Sequence, residues 1–165
     1  MFYLANLNKI VLSLGSNLGN REKNLKKALQ ALKKLPLRII KVSKIYESKP
    51  WGFKSPHLFL NLVLLGETSL SPWAFIFEIK KIEAKMGRKL KKKKFYEDRL
   101  IDIDIIFYEN LVIKSKSLTI PHPHMHERDF VIIPSLEIIP FWIHPIFKKS
   151  VAELYKDLNL SENKS

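Results

Sequence analysis

Apolar and polar positions alternate most regularly at residues 99–107, RLIDIDIIF. Successive side chains of a strand point to opposite faces, so one face is entirely apolar and is predicted to face a core: Ile101, Ile103, Ile105 and Phe107. The opposite face carries two carboxylates, Asp102 and Asp104. Two carboxylates on one face repel each other unless a cation lies between them, and a hard divalent cation shared with substrate phosphates is the usual solution. The pattern predicts either a divalent-cation site or an edge strand with a solvated polar face.

The same patterning predicts the other elements. Apolar periodicity and turn signals indicate strands at 9–14, 37–46, 58–67 and 111–113, a loop at 48–57, and helices at 21–35, 71–87 and 150–158. Asn20 and Ser71 are suited to cap the first two helices. The order β-α-β-β-α-β is that of the ferredoxin-like fold. We therefore predict an α+β fold: a ferredoxin-like βαββαβ core with additional C-terminal strands and helices, its mostly antiparallel sheet covered by helices. We expect a single domain over residues 1–165, with a frayed tail at 159–165.

Composition limits the possible classes of protein. The chain has 165 residues, 46% of them hydrophobic and 27% charged, which is typical of a globular domain. No apolar run reaches the roughly 18 residues of a membrane span, and the N-terminus has no basic region ahead of an apolar one, so it does not resemble a signal peptide. The absence of cysteine excludes a disulfide framework and a thiolate metal site. We expect a cytoplasmic enzyme.

The formal net charge of +13 favours an anionic partner: nucleic acid, an anionic membrane, or a small polyanionic substrate such as a nucleoside triphosphate. The lysines of the helix at 21–35 are interpreted as a solvated face. The run from Lys89 to Lys94, interrupted only by Leu90, lies directly before the carboxylate strand. Its position fits either attraction of phosphates or a solvated loop.

Polar residues in apolar or proline-rich surroundings are further candidates. Asn61 lies inside an apolar strand, where its amide must form hydrogen bonds. It is either satisfied by the backbone or binds the edge of a planar heterocycle that stacks on Phe59. The alternating histidines of PHPHMHERDF lie in an extended, proline-containing loop without cysteine, which disfavours a zinc site. A phosphate contact by His122 with Arg128 is the preferred interpretation.

Several motifs occur together in a specific order along the chain. They are LSLGSNLGNR, YESKPWG, FLN, the Gly-Arg pair at 87–88, RLIDIDIIF and PHPHMHERDFVIIP. With these motifs, the chain resembles the 6-hydroxymethyl-7,8-dihydropterin pyrophosphokinase family of folate biosynthesis over residues 9–158. The resemblance implies a transferase that moves a pyrophosphoryl group from ATP to the hydroxymethyl oxygen of the pterin and releases AMP.

The resemblance also implies a role for each matching residue. Asp102 and Asp104 match the carboxylates that hold two magnesium ions between ATP and the pterin alcohol. The positions associated with ATP are Glu83, Arg88, Arg99, Thr119, His122 and Arg128, of which Arg88 and Arg99 are implied to be catalytic together with the two aspartates. The positions that bind the pterin are Ser48, Trp51, Phe59, Asn61 and Phe130. In the family, the two phenylalanine positions sandwich the ring and the asparagine bonds its edge. We expect a monomer that acts on small molecules, with neither a specific nucleic acid nor a membrane as partner.

The chain departs from the family pattern before the carboxylate strand. Where the family usually carries an aromatic residue, Gly-Pro and an arginine, this chain has YEDR at 96–99. We expect Tyr96 to cover the pterin, with Phe95 as the alternative. Which of Lys91 to Lys94 contacts the phosphates is left open.

Two other functions fit part of the pattern. A nucleic-acid-binding ferredoxin-like domain would explain the positive charge, but the chain lacks the strand-borne aromatic motif of that class, and paired aspartates without a metal would repel phosphates. Another metal-dependent nucleotide enzyme, such as a nuclease or a glycosyltransferase, would explain the carboxylates but not Asn61 with its neighbouring aromatic residues. The pyrophosphokinase interpretation is therefore preferred.

Overall fold

The structure is a computed structural model that describes residues 6–87 and 97–163. Its strands are β1 Asn8–Ser16, β2 Leu37–Val42, β3 Tyr46–Ser48, β4 Phe59–Thr68, β5 Asp102–Tyr108, β6 Ile113–Lys114 and β7 Thr119–Ile120. Its helices are α1 Arg21–Leu32, α2 Pro72–Lys85, α3 Asp129–Ile138 and α4 Val151–Glu162, with a 3₁₀ helix at Met125–Glu127. Within these described ranges, every helix is too short or too polar to cross a membrane.

The main sheet has the order β2-β4-β1-β5, with β3 also paired to β4, and neighbouring strands are antiparallel. β4 therefore lies between β1 and β2, which α1 connects, and β1 lies between β4 and β5, which α2 connects. This is the split βαβ arrangement of a ferredoxin-like fold. The predicted fold class is confirmed, and β6 and β7 form a separate two-stranded sheet after the core.

Helix boundaries follow local signals in the sequence. The side-chain oxygens of Asn20 and Ser71 each accept a hydrogen bond from the backbone N–H three residues later, so α1 and α2 begin where predicted. The last helix is longer than predicted. Residues 159–162 continue α4, and the backbone N–H of Asn163 donates to the carbonyl of Asn159 at 3.1 Å. Fraying of the tail stays a prediction.

Helices cover both faces of the main sheet. α1 and α2 bury their apolar residues on one face, among them Leu25, Leu32, Phe75 and Ile79. α3 and α4 bury theirs on the other face, among them Val131, Ile132, Val151 and Leu154. Both faces of the central strands are therefore apolar along most of their length.

β5 does not keep the predicted alternation over its whole length. Ile103 and Ile105 belong to the core under α1 and α2, but Phe107 lies on the opposite face together with Ile106. The register with β1 shifts at this point, which makes Ile106 the extra residue of a β-bulge. The bulge reverses the alternation after Ile105, so the prediction that Phe107 shares a face with the preceding isoleucines is wrong.

Helix α3 was not predicted from the sequence, because Pro134 lies inside it. A proline lacks the N–H that would donate to the carbonyl four residues earlier, so it ordinarily marks the end of a helix. Here Asp129 stabilises the first turn. Its carboxylate accepts hydrogen bonds from the Tyr46 hydroxyl at 3.2 Å and from the Phe130 N–H at 2.8 Å. The start of α3 is thereby fixed to β3.

Candidate active site

A pocket opens at the ends of β1, β4 and β5, on the side of the sheet that α3 covers. The strand register places Asp102, Gly15 and Asn61 in one row across β5, β1 and β4. The space between the walls, including the part that is open to solvent, is about 490 Å³.

The structure brings most of the predicted site residues to the walls of this pocket. Five of them come from the positions predicted for the pterin: Ser48, Trp51, Phe59, Asn61 and Phe130. Four more carry charge: Arg99, Asp102, Asp104 and Arg128. An apolar, aromatic region and a charged region therefore share one pocket.

Asp102 and Asp104 project from the same side of β5 into the charged region. Burial, and then the neighbouring Asp102 carboxylate, raise the pKa of Asp104 to about 7, against the lowering effect of Arg128 and Arg99. The Asp104 side chain is 32% exposed, so solvent in the pocket screens part of this effect. Arg99 Nη1 lies 3.0 Å from Asp102 Oδ1, and Arg128 Nη1 lies 4.0 Å from Asp104 Oδ2. The raised pKa of Asp104 indicates that these arginines do not fully offset the combined effect of burial and of the repulsion between the carboxylates.

His122 lies beside Asp104 as a neutral imidazole. Its backbone N–H donates to the Ile106 carbonyl at 3.0 Å, and its Nε2 lies 4.0 Å from Asp104 Oδ2. Burial, and then the charge of Arg128, lower the pKa of His122 to about 3. Because Nδ1 accepts the backbone N–H of His124 at 3.1 Å, the ring proton is assigned to Nε2. The ring therefore presents an N–H donor, which suits a phosphate oxygen.

The two ends of the Asn61 amide have different surroundings. Nδ2 donates to the Tyr46 carbonyl and to Ser48 Oγ, both at 2.9 Å, which satisfies the amide inside its apolar strand. Oδ1 faces Gly15 at the floor of the pocket. Only an acceptor is thus offered to the pocket, and an acceptor selects a ligand edge that carries N–H groups.

Gly15 keeps the floor of the pocket open. A Cβ on this residue would lie 3.1 Å from Asn61 Oδ1 and 3.4 Å from Phe59 Cδ1. Any side chain would therefore occupy the space in front of the amide. From the sequence, the GSN motif was interpreted only as part of a turn. The glycine of this motif was the feature that could have indicated an open pocket floor.

Asn17 holds together the segments that flank the pocket. Its Oδ1 accepts the Arg99 N–H at 2.7 Å, and its Nδ2 donates to Asp98 Oδ1 at 2.7 Å and to the His57 carbonyl at 3.1 Å. This buried amide links the end of β1, the loop before β4 and the residues before β5, and it keeps Arg99 within reach of Asp102. From the sequence, the position of Asn17 inside the GSNLGN motif was not interpreted as an indication of this linking role.

Three further lining residues were not predicted from the sequence: Ser13, Lys49 and Phe53. Phe53 packs edge-on against Phe59, with ring centroids 6.3 Å apart. The sequence feature that could have identified Phe53 as a lining residue is its place in the same loop as Trp51. Ser13 lies opposite Asp104 in the strand register, so only the three-dimensional pairing identifies it.

Besides His122, two residues expected near ATP lie outside the pocket lining. Glu83 is buried, and its Oε2 accepts the backbone N–H of Ile103 at 3.1 Å, which satisfies a donor on the edge strand between the two aspartates. Thr119 lines a second cavity together with His122, and its Oγ1 lies 3.2 Å from the Ser115 carbonyl. Contacts of either residue with ATP stay predictions.

Some predicted residues lie outside the described part of the chain. They are Arg88, the lysines at 91–94, Tyr96 and its alternative Phe95. Their roles in binding ATP or covering the pterin stay predictions.

The donor set of the pocket fits a hard cation such as Mg²⁺. Within residues 6–87 and 97–163, no cluster of three or more His, Asp or Glu side chains could enclose a metal ion. Mg²⁺ does not need such a cage, because one or two carboxylates usually hold it while water and substrate phosphates complete its shell. Asp102 and Asp104 supply such a pair. The raised pKa of Asp104 indicates that a cation there would relieve the repulsion.

The comparison with protein families agrees with this geometry. The family model described as 7,8-dihydro-6-hydroxymethylpterin-pyrophosphokinase (HPPK) matches residues 11–140. The chain belongs to the HPPK family. It is a pyrophosphokinase of folate biosynthesis, as the sequence resemblance implied.

Curated relatives are similar over most of the chain. The 2-amino-4-hydroxy-6-hydroxymethyldihydropteridine pyrophosphokinase of Aquifex aeolicus is 46% identical over 144 residues, which cover 87% of this chain and 88% of that protein. The protein of the same name from Porphyromonas gingivalis is 42% identical over 138 residues, covering 82% and 93%. The crystal structure of Plasmodium falciparum HPPK-DHPS matches with a TM-score of 0.72 at 17% identity, covering 92% of this chain and 45% of that one. This chain thus spans less than half of the longer HPPK-DHPS protein, and that likeness shows the fold alone.

Proposed function

We propose that the enzyme transfers the pyrophosphoryl group of ATP to the hydroxymethyl oxygen of 6-hydroxymethyl-7,8-dihydropterin and releases AMP, in tetrahydrofolate biosynthesis. The observation that carries this proposal is the row of Asp102, Gly15 and Asn61 along one pocket. Asp102 at one end of the row, together with the nearby Asp104, offers a carboxylate pair suited to metal-bound phosphates, and Asn61 at the other end offers a single amide acceptor beside aromatic side chains. Membership of the HPPK family supports the same reaction.

The pterin binds at the Asn61 end of the row. Phe59 and Phe130 line this end and offer apolar faces to a planar ring. Because both donors of the Asn61 amide are bound by Tyr46 and Ser48, its Oδ1 accepts an N–H from the 2-amino edge of the pterin. The hydroxymethyl group, at the opposite end of the bicyclic ring, then points toward the aspartates.

The ATP phosphates bind at the charged end. Arg99 and Arg128 line the pocket beside the carboxylates, and the Nε2–H of His122 is directed to the same region. Two Mg²⁺ ions held by Asp102 and Asp104 would neutralise phosphate charge between the two substrates. Phosphoryl-type transfer depends mainly on positioning and on charge stabilisation, and the two arginines stabilise charge that develops on the departing AMP. A carboxylate of this pair accepts the proton that the hydroxymethyl group loses.

We also propose a monomeric enzyme that works in the cytoplasm. ATP as the donor supports a cytoplasmic location. Outside the described residues, Arg88 and the lysines at 91–94 would add positive charge near the phosphates.

Product analysis tests the proposed reaction. Purified enzyme is incubated with ATP, Mg²⁺ and 6-hydroxymethyl-7,8-dihydropterin, and nucleotides and pterins are separated by chromatography. We expect AMP and the pterin diphosphate in equal amounts, only when both substrates and Mg²⁺ are present. Formation of ADP would contradict a pyrophosphoryl transfer. AMP released without the pterin would favour a metal-dependent nucleotide hydrolase, the second candidate that shares the carboxylate pair.

A further inference from the structure

Trp51 contacts a residue of the opposite substrate region. The Arg128 guanidinium carbon lies 4.3 Å from the centroid of the Trp51 ring. Trp51 belongs to the loop between β3 and β4, whose neighbouring residues line the aromatic region of the pocket, whereas Arg128 directly precedes α3 in the charged region. The sequence resemblance implied only a pterin contact for Trp51 and only a nucleotide contact for Arg128.

The surroundings of Arg128 make this ring contact energetically relevant. The arginine side chain is only 8% exposed, and a cation over an aromatic face is held more strongly when water is excluded. Its other described neighbours include Asp104 Oδ2 at 4.0 Å and the neutral His122 ring at 3.5 Å. A second ring, that of Phe130, lies 5.6 Å from the guanidinium carbon. Trp51 thus provides the nearer of these two aromatic contacts.

An aromatic ring attracts a guanidinium through its charge and does not take the place of an oxygen acceptor for each of the five N–H groups. Contact with Trp51 therefore restricts the position of Arg128, while N–H groups that point away from the ring stay available to acceptors such as phosphate oxygens. An arginine that is oriented before the nucleotide arrives loses less conformational entropy on binding. The loop that carries Trp51 thereby influences the affinity of the charged region.

We propose that Trp51 is a positioning residue for Arg128, and that this contact couples the loop at 48–57 to the binding of the ATP phosphates. The proposal rests on the proposed function, because it takes the nucleotide as the ligand of Arg128. It adds a role for Trp51 that a pterin wall would not have: a change at Trp51 alters nucleotide affinity in the absence of any pterin.

The test measures binding of the Mg²⁺ complex of α,β-methylene-ATP by titration calorimetry without pterin. Trp51→Leu removes the ring, Trp51→Phe keeps one, and Phe53→Leu serves as the matched control, since Phe53 lines the same pocket from the same loop but packs edge-on against Phe59. We expect Trp51→Leu to raise the nucleotide Kd about 3- to 30-fold. Trp51→Phe should recover part of the loss, and Phe53→Leu should change the Kd less than twofold.

A double-mutant cycle links the effect to Arg128. Arg128→Met keeps the length of the side chain and removes its charge. In that background, Trp51→Leu should cause no further loss of nucleotide affinity. An equal loss in both backgrounds, equal effects of Trp51→Leu and Phe53→Leu, or an effect on pterin affinity alone would overturn the proposal. If the unmutated enzyme binds the nucleotide analogue but forms no AMP from ATP and pterin, the proposed function fails while the cycle still decides the role of Trp51.

Discussion

At the scale of single residues, folding makes ionisation of the Asp104 carboxyl less favourable. Burial and the Asp102 charge raise the pKa of Asp104 to about 7, whereas an aspartate of the unfolded chain titrates near 3.9. The folded, metal-free protein therefore binds this proton more tightly than the unfolded chain does. Its stability is expected to decrease as the pH rises from about 4 to about 7, because the carboxylate must ionise in the pocket.

Asp104→Asn separates this effect on stability from the effect on turnover. We expect the variant to lose activity and yet, in EDTA at about pH 8, to melt roughly 3–8 °C above the unmutated protein, because asparagine brings no charge into the pocket. The difference in melting temperature should shrink as the pH falls toward about 4. Mg²⁺ should raise the melting temperature of the unmutated protein and not that of the variant.

Asp157→Asn provides the control for Asp104→Asn. Asp157 is half-exposed on α4 and pairs with Lys149 at the surface, where ion pairs contribute little to stability. Its replacement should leave the melting curve and its pH dependence nearly unchanged. A lower melting temperature for Asp104→Asn at about pH 8 in EDTA would contradict the inferred repulsion between the two aspartates.

At the scale of elements, the connection from β1 to α1 determines how two other segments are placed. Asn17 bonds the His57 carbonyl, the Asp98 carboxylate and the Arg99 N–H through one buried side chain. We expect Asn17→Ala to lower the free energy of unfolding by about 1–3 kcal/mol, because buried backbone groups lose their partner. It should also lower kcat/KM for ATP at least tenfold, since Arg99 is no longer fixed beside Asp102. Denaturant unfolding and steady-state kinetics check the two effects.

Asn24→Ala is the matched control for Asn17→Ala. The Asn24 amide bonds Ser16 Oγ at 3.2 Å and the Leu18 carbonyl at 2.8 Å, within the same connection, but neither contact involves the residues next to β5. This variant should also lose stability and should keep a near-normal KM for ATP. Equal kinetic losses in both variants would show that general loosening of the connection, and not the placement of Arg99, is responsible.

The same scale explains what sequence patterning could and could not predict. The Asp102–Asp104 face and the helix caps depend on spacing within a few residues, so they were predicted correctly. Gly15 lies on the pocket floor only because β1 pairs with β4 and β5 in one register. The bulge at Ile106 depends on the same pairing, and α3 persists through Pro134 because tertiary contacts hold its start. Such features arise from long-range contacts that no local pattern encodes.

At the scale of the whole molecule, the net charge of +13 has two separable origins. One is the lysine run next to the carboxylate strand. The other is distributed over the rest of the chain, including exposed lysines of α1, which covers the face of the sheet opposite the pocket. A uniform positive charge attracts ATP to the molecule as a whole, whereas a local cluster contacts or guides its phosphates at the site.

Two charge-matched variants distinguish these origins. One replaces all four lysines at 91–94 with glutamine, and the other replaces four exposed lysines of the α1 region: Lys23, Lys26, Lys27 and Lys33. Both lose the same net charge. We expect only the first to lower kcat/KM for ATP strongly at about 20 mM salt, with the deficit shrinking by about 500 mM as ions screen the cluster. Equal losses in both variants would assign the effect to the overall field of the protein. No salt-dependent loss in either would leave the run at 91–94 as a solvated surface without a role in ATP capture.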